Sequence, residues 1–242
     1  MTDMENEILN NKPLDTASPD KKKVSFNTAS SKDYVSNEAF KALRTNLLFS
    51  GSDVKTILVT SSNEDEGKST ISTELSKSLA DAGKKTLFID ADMRKSVILK
   101  NNDSVKGLSE LLLDMCSVED VIFTTQNENF DVMFSGHFPP NPVEILGGEK
   151  FGILLNNLKE KYDYIILDTP PVGMVIDAAV IASHCDGALL IIASRKTSRK
   201  AAKEAKEQIE RSGCRILGAV INEVDKSSSS YGNKYYKAKQ YI

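Results

Sequence analysis

Ile57-Leu-Val-Thr-Ser-Ser-Asn-Glu-Asp-Glu-Gly-Lys-Ser-Thr-Ile71 joins a β-branched apolar run to a polar turn and then to a segment of helical character. This order predicts a phosphate-binding loop, because a helix N-terminus offers unpaired backbone N–H groups and a positive dipole end. Lys68 adds a full charge for phosphate oxygens, and the Ser69 hydroxyl can ligate Mg²⁺. Ser62 stands where the pattern Gly-x-x-x-x-Gly-Lys-Ser/Thr has its first glycine, so a solvated turn stays an alternative for this stretch taken alone.

Two further apolar runs end in carboxylates and support a phosphate site. Thr86-Leu-Phe-Ile-Asp90 is followed by Asp92 and Arg94, and Tyr164-Ile-Ile-Leu-Asp168 is followed by Thr-Pro-Pro. Open parallel sheets bind ligands at the carboxyl ends of their strands, and two carboxylates there can organise Mg²⁺. We therefore expect both strand ends to converge with the phosphate loop on one edge. The alternative for the first run is a strand followed by an Asp-rich turn.

The strand pattern predicts an α/β fold. Apolar runs that include Gly187 to Ala193 and Arg215 to Asn222 bring the number of strong candidate strands to five, and helical segments alternate with them. This alternation favours a mostly parallel central sheet flanked by helices on both faces, with right-handed crossovers. We expect one amphipathic helix from Gly107 to Val121 and a short strand from Phe130 to Phe134.

Composition limits the classes of function. The chain has 242 residues, 40% of them hydrophobic, and a formal charge of -3, which gives no overall footprint for nucleic acid. Its three cysteines lack metal-type spacing, which favours a reducing compartment. No run reaches the ~20 apolar residues of a membrane span, so work at a membrane would need another chain as anchor.

The two ends of the chain differ from the middle. Residues 1–32 are polar and without period, which predicts a disordered leader ahead of a domain spanning 33–225. Residues 226–242 predict a flexible tail that holds four of the seven tyrosines among Ser, Gly, Asn and Lys: Tyr231, Tyr235, Tyr236 and Tyr241. A tail of this length reaches roughly 20–24 Å. It could therefore present tyrosines to an active site, including that of a neighbouring subunit.

A helical segment from Ser36 to Phe49 carries Glu38, Lys41 and Arg44 at intervals of three residues. This polar face can be a solvated surface with intrahelical ion pairs. It can also be a contact between subunits, and the spacing alone favours the solvated surface.

Taken together, these motifs resemble the split-type bacterial tyrosine kinases of capsule and exopolysaccharide synthesis in Gram-positive bacteria. The resemblance covers about residues 33–242. It rests on the phosphate loop, on the Asp90-x-Asp92-x-Arg94 segment called Walker A′ in that family, on Asp168-x-Pro-Pro171, on Ser135-Gly-x-x-Pro-Pro-Asn-Pro and on the tyrosine cluster. It implies a P-loop NTPase architecture like that of septum-site and partitioning proteins.

The resemblance also implies an activity and its residues. The expected reaction is ATP-dependent phosphorylation of protein tyrosines, above all those of the tail and mainly between subunits. The residues that would bind the phosphates are Asp65, Glu66, Gly67, Lys68, Ser69 and Thr70. The residues that would bind Mg²⁺ are Ser69, Asp92 and Asp168. The catalytic residues would be Lys68, Asp90, Asp92, Asp168 and Arg94. Asp90 would accept or orient the tyrosine proton, and Asn222 would lie near the adenine.

The partners are implied in the same way. In that family a Glu38-x-x-Lys41-x-x-Arg44 position serves ring-like homo-oligomerisation, which reverses the preference given above for this helix. A separate membrane-anchored protein activates the kinase, so a cytoplasmic chain would be recruited to the inner face of the cell membrane.

This sequence departs from the family at Glu64 and Asp65, where Pro-Gly is usual. A non-glycine residue can strain the turn, and extra carboxylates near a triphosphate should weaken nucleotide binding unless they point outward.

Two other functions compete with the kinase. A partner-stimulated ATPase switch of the septum-site type would carry a lysine where this chain has Asn63, and it would lack the tyrosine tail. A non-enzymatic scaffold would follow if Glu64 and Asp65 abolished nucleotide binding.

Overall fold

A mainly parallel sheet forms the centre of the residues that this computed structural model describes, namely 23–24, 34–95 and 105–224. Its seven strands are β1 (Thr56–Ser61), β2 (Thr86–Asp90), β3 (Ile122–Thr124), β4 (Phe130–Met133), β5 (Tyr164–Asp168), β6 (Gly187–Ala193) and β7 (Ile216–Asn222). Their order is β3-β4-β2-β5-β1-β6-β7. Within this sheet β3 is antiparallel to β4 and the other neighbours are parallel.

Helices cover both faces of the sheet, as the sequence predicted. They are α1 (Tyr34–Leu48), α2 (Lys68–Asp81), α3 (Leu108–Leu112), α4 (Val118–Val121), α5 (Pro142–Leu146), α6 (Glu149–Lys159), α7 (Asp177–Ala182) and α8 (Arg199–Arg211). Ile57 and Val59 pack into one core with α1 and α2, whereas Leu58 packs into another with α6, α7 and α8. Successive strand residues point to opposite faces, so a continuous apolar strand such as β1 serves both cores.

The predicted single helix from Gly107 to Val121 is wrong, because the chain forms the two short helices α3 and α4 there. Asp114 follows α3 in the left-handed region with φ 59°, which ends a helix. A new start then forms at Ser117, whose backbone N–H donates to Asp120 Oδ2 at 3.0 Å. The helical spacing of the apolar residues continues across this break, which is why the pattern did not reveal it.

The outer edge of the sheet meets a piece of the predicted leader. Val24 donates its N–H to the Thr124 carbonyl at 3.0 Å, and Lys23 forms a parallel β-bridge with the same residue. The Val24 side chain packs against a cluster of aromatic residues that includes Phe123 and Phe130. The rest of the leader, and the tail 226–242, lie outside the described residues.

Strand pairing determines where the site lies. Asp168 at the end of β5 is in register with Asp90 at the end of β2 on one side and with Val59 in β1 on the other. The loop that follows β1 and both strand-end carboxylates therefore share the carboxyl edge of the sheet. Within the described part of the chain, no helix has the length and apolar character needed to cross a membrane.

Candidate active site

A cleft at the carboxyl edge contains most of the side chains that the motifs singled out. Its walls come from the loop after β1, the ends of β2 and β5, and the segments that follow them. They are formed by Glu64, Asp65, Lys68, Ser69, Asp90, Asp92, Arg94, Lys95, Asp168, Pro170, Pro171, Met174 and Val175. The expected convergence of the phosphate loop with the two strand ends is thus confirmed.

Gly67 is the residue at which the phosphate loop enters α2. It lies in the left-handed region with φ 86°, where glycine pays no steric penalty. A Cβ atom added there would lie 2.1 Å from Asn222 Nδ2. Both its conformation and its close contact with β7 therefore require glycine, and α2 begins directly at Lys68 with its N-terminus at the cleft.

The two departures from the usual loop sequence are accommodated in different ways. Asp65 adopts φ 55°, a left-handed conformation that Asp tolerates better than most residues. Glu64 Oε2 lies 2.8 Å from Lys95 Nζ, across the mouth of the cleft. The hydrogen bond and charge of Lys95 lower the pKa of Glu64, so this carboxylate is ionised and paired.

Glu66, predicted to contact the nucleotide, has a buried side chain that is used inside the loop. Its Oε2 accepts hydrogen bonds from the backbone N–H groups of Ser62 at 2.9 Å and Asn63 at 3.1 Å. Its Oε1 accepts from the Thr197 hydroxyl, in the segment after β6. Thr197 belongs to no motif of the sequence, and nothing in the sequence could have paired it with Glu66.

Asp168 is a deeply buried acid of the cleft, with 2% of its surface exposed. One of its oxygens, Oδ1, is buried without a hydrogen-bond partner. Burial raises the pKa of Asp168 to about 6, although the Ser69 hydroxyl and the Lys68 charge act in the opposite direction. An acid with an unused buried oxygen and a hydroxyl beside it is suited to a cation.

Asp90 and Asp92 complete the acidic wall. Asp90 Oδ1 accepts a hydrogen bond from the backbone N–H of Asp92 at 3.1 Å. Asp92 Oδ1 in turn accepts from the N–H groups of Arg94 and Lys95 at 3.1 and 2.9 Å. Mg²⁺ in phosphate sites is commonly held by one or two carboxylates together with substrate phosphates and water. The oxygen donors of this cleft fit that coordination.

Arg94 lines the cleft, but its guanidinium is engaged elsewhere. Nε and Nη2 bind the two carboxylate oxygens of Asp177 at 2.8 and 3.0 Å. Asp177 is buried at the start of α7, and this hydrogen bond raises the pKa of Arg94. The arrangement links the Walker A′ segment to α7, a connection that the sequence did not predict.

Two other residues predicted to contact the nucleotide, Thr70 and Asn222, are not among those that line the cleft. Asn222 ends β7 and donates from Nδ2 to the Glu66 carbonyl at 3.0 Å. This bond fixes the orientation of the Asn222 side-chain amide, so Asn222 Oδ1 is the atom of that amide left to accept a hydrogen bond. Thr70 is exposed in the first turn of α2.

The predicted oligomerisation residues lie on α1. Lys41 Nζ contacts Glu38 Oε1 at 2.8 Å on the exposed side of this helix. Arg44 Nη1 donates to the Ser78 carbonyl at 2.7 Å and so attaches α1 to α2. The four tail tyrosines lie outside the described residues.

Comparison with known proteins agrees with this geometry. Residues 54–212, more than half of the chain, match the family described as AAA domain. The tyrosine-protein kinase CpsD of Streptococcus agalactiae is 45% identical over 199 residues, which are 81% of this chain and 87% of that protein.

Solved structures support the same relationship. The kinase domain of the Escherichia coli tyrosine kinase ETK superposes with a TM-score of 0.78 at 31% identity, covering 91% of this chain and 87% of that one. The septum site-determining protein MinD of Pyrococcus horikoshii gives a TM-score of 0.61 at 24% identity, with 72% of each chain covered. The latter similarity confirms the predicted P-loop NTPase fold, which the kinases and the septum-site proteins share.

Proposed function

This chain belongs to the family of bacterial tyrosine-protein kinases, and we propose that it transfers the γ-phosphoryl group of ATP mainly to tyrosines of its own C-terminal tail. Family membership makes it a nucleotide-binding enzyme that phosphorylates protein tyrosine. The observation that carries the proposal is the single cleft shared by Lys68, Ser69, Asp90, Asp92 and Asp168. The cleft brings hydrogen-bond donors for phosphate together with carboxylates, which can bind a cation and accept a proton.

The phosphates would bind the N-terminus of α2. Lys68 and the backbone amides from Asp65 to Thr70 are the donors we assign to them, because helix N-termini stabilise anions. The amides of Ser62 and Asn63 are already bound to Glu66. Within the loop this leaves the later amides for phosphate, so we assign Glu66 a backbone contact with the nucleotide.

Ser69, Asp92 and Asp168 would hold Mg²⁺. When bound, the ion neutralises charge on the β- and γ-phosphate oxygens, which is the main electrostatic requirement of phosphoryl transfer. The orphaned Asp168 oxygen supports this assignment.

Asp90 would act on the substrate. The tyrosine oxygen attacks the γ-phosphorus, the bond from that phosphorus to the β,γ-bridging oxygen breaks, and ADP leaves with the electron pair. The tyrosine proton passes to Asp90, or is oriented by it. Catalysis then consists mostly of positioning and charge stabilisation.

The tail supplies the substrates Tyr231, Tyr235, Tyr236 and Tyr241. It contains four lysines and no acidic residue after Asp225, so it is attracted to an acidic cleft. Each phosphate adds ≈ −1.5 to −2 charges. Full modification reverses the charge of the tail and favours its release, and we therefore keep 226–242 as a substrate segment outside the kinase domain 33–225.

Oligomerisation and recruitment follow from the family resemblance. We propose that Glu38, Lys41 and Arg44 on α1 contribute to a ring-like homo-oligomer, in which one subunit phosphorylates another. A separate membrane-anchored activator would bring the cytoplasmic kinase to the inner face of the membrane, where it regulates capsular or exopolysaccharide synthesis.

Mass-spectrometric mapping of phosphotyrosine tests the proposal. Purified full-length chain, incubated with ATP, Mg²⁺ and the activator fragment, should carry phosphate largely on the four tail tyrosines. Lys68→Met should lower this labelling by about 100-fold or more, because an electrostatic contact to the transferred group is lost. Lys161→Met, which removes an exposed lysine before β5, serves as the control.

Two results would contradict the proposal. Tail tyrosines that remain unlabelled while nucleotide is bound would favour the ATPase switch, whose signature is partner-stimulated hydrolysis without protein labelling. Absence of any heat on titration with ADP and Mg²⁺ would favour the scaffold.

A further inference from the structure

The buried carboxylate of Glu66 lies in the loop that we assign to phosphate binding. Glu66 as a whole is 2% exposed. Its carboxylate accepts hydrogen bonds from the backbone amides of Ser62 and Asn63 and from Asn63 Nδ2, the last at 3.1 Å. A carboxylate free to turn toward the phosphates would repel them. The same carboxylate, held on the first amides of the loop, instead fixes the loop conformation.

Thr197 is positioned to hold it. The Thr197 hydroxyl donates to Glu66 Oε1 and accepts the backbone N–H of Ala193 at 3.0 Å. A hydroxyl can donate and accept at once, whereas an isosteric valine can do neither. The contact joins positions 131 residues apart, and it connects the segment between β6 and α8 to the phosphate loop.

Glu66 is also held from β7. Asn222 Nδ2 donates to the Glu66 carbonyl at 3.0 Å, directly beside Gly67. The side chain and the backbone of one loop residue are therefore fixed from two neighbouring strand ends, β6 and β7. Displacement of Glu66 would disturb the amides that follow it, which are those assigned to the phosphates.

We propose that Thr197 is a positioning residue for nucleotide binding, which keeps the Glu66 carboxylate on the Ser62 and Asn63 amides and away from the phosphates. This inference rests on the proposed function only in placing the phosphates at the N-terminus of α2. Thr197 acts through Glu66 and touches no reacting atom.

Three substitutions at this position in the full-length chain test the role. Thr197→Val should weaken binding of ADP with Mg²⁺ and raise KM for ATP by about tenfold, the effect of one hydrogen bond to a charged group, with kcat changed less than about twofold. Thr197→Ser keeps the hydroxyl and should bind within about twofold of wild type. Thr197→Ala is a second variant without the hydroxyl, so the test does not depend on the folding of the valine protein.

Thr125 offers a matched control. Its hydroxyl also donates to and accepts from backbone groups, in the turn between β3 and β4. Thr125→Val should lower thermal stability and leave the dissociation constant for ADP unchanged. If Thr197 had a purely structural role, Thr197→Val would likewise lower thermal stability without changing the dissociation constant for ADP.

A double substitution shows whether Thr197 works through Glu66. In a Glu66→Ala background, Thr197→Val should cause little further loss of affinity, because the group that it positions is absent. Unaltered ADP binding by Thr197→Val and Thr197→Ala, an equal loss in Thr197→Ser, or additive losses in the double variant would each overturn the inference. Nucleotide binding measured by calorimetry does not depend on tyrosine phosphorylation. If the variants show the predicted affinities but the tail stays unphosphorylated, the kinase proposal is refuted and the inference about Thr197 stands.

Discussion

The acidic side chain of Glu64 in the phosphate loop is neutralised by an ion pair with Lys95. Glu64 faces the cleft, and Lys95 compensates it at 2.8 Å. The hydrogen bond and charge of Glu64 raise the pKa of Lys95, so the pair is fully ionised near neutral pH. Lys95 thereby offsets the acidic residue that replaces the usual proline.

Substitution of Lys95 tests this compensation. Lys95→Ala should weaken binding of ADP with Mg²⁺ by about two- to fivefold, the modest effect of a solvent-exposed pair, because Glu64 then opposes the phosphates alone. Adding Glu64→Ala in the same chain should restore affinity. Isothermal titration at low and high salt would measure both, with a smaller difference at high salt.

Lys161→Ala removes an equal charge far from the cleft and should leave affinity unchanged. If the double variant binds as weakly as Lys95→Ala, Lys95 contacts the nucleotide directly and the compensation hypothesis is wrong.

The site residues divide into those that the sequence could predict and those that it could not. Lys68, Asp90 and Asp168 follow strands in recognisable patterns, and the edge at which parallel strands end is a general property of such sheets. Thr197 and Asp177 reach their partners across 131 and 83 residues. Such contacts depend on side-chain direction after folding, and no local spacing encodes them.

Among the secondary-structure elements, α7 is joined to the active site through Arg94. The Arg94 side chain is 42% exposed and pairs with the Asp177 side chain, which is 1% exposed. An acid buried to this degree is strongly destabilising when its partner is removed. The pair therefore holds the segment after Asp92 against the first turn of α7.

Arg94→Ala should consequently lower the free energy of unfolding by about 3 kcal/mol, at the low end for a broken buried pair because the arginine is partly exposed. Arg94→Ala combined with Asp177→Ala should recover part of that loss, since no uncompensated charge remains. Urea unfolding of the wild type, both single variants and the double variant would give the four values. Full stability of Arg94→Ala together with a collapsed kcat would instead show that Arg94 acts on the reacting groups.

The order of elements was more predictable than their interruptions. The apolar runs that became β1, β2, β5, β6 and β7 are long and lie between helical segments, so their pattern was unambiguous. The break between α3 and α4 depends on one left-handed residue, Asp114. The three-residue strand β3 is too short for a period of two to appear.

At the scale of the described molecule, the candidate active site and a hydrogen-bond network around Asp186 occupy opposite edges of the sheet. Asp186, just before β6, accepts hydrogen bonds from the backbone N–H groups of Lys55 and Thr56 at 3.0 and 2.8 Å. Its other oxygen lies 2.7 Å from Lys159 Nζ at the end of α6. One carboxylate thus joins β1, β6 and α6 at the amino edge.

This network predicts a pH-dependent stability. Burial would raise the pKa of Asp186, but the hydrogen bonds from Lys159, Thr56 and Lys55 outweigh it and lower the pKa. A lowered pKa means that the stabilisation is complete above the unfolded value of about 4 and is lost as pH falls through the folded value. Asp186→Asn should therefore cost about 2 kcal/mol at pH 7, and its difference from wild type should shrink in acid.

Urea midpoints at pH 7 and at about pH 3.5 measure this effect. Kinase activity per folded molecule should be unchanged, because Asp186 is at the edge opposite the cleft. Glu160→Gln, at an exposed carboxylate after α6, should alter neither quantity. An equal loss at both pH values would show that the Asp186 charge is not responsible.

Val24 has a practical consequence for anyone who shortens this protein. A truncated chain that starts at α1 would lose the hydrogen bond to Thr124 and the cover that Val24 gives to Phe123 and Phe130. An uncovered strand margin with aromatic side chains invites self-association. Removal of the N-terminal residues would then promote aggregation, whereas protein that retains Lys23 and Val24 should remain monodisperse.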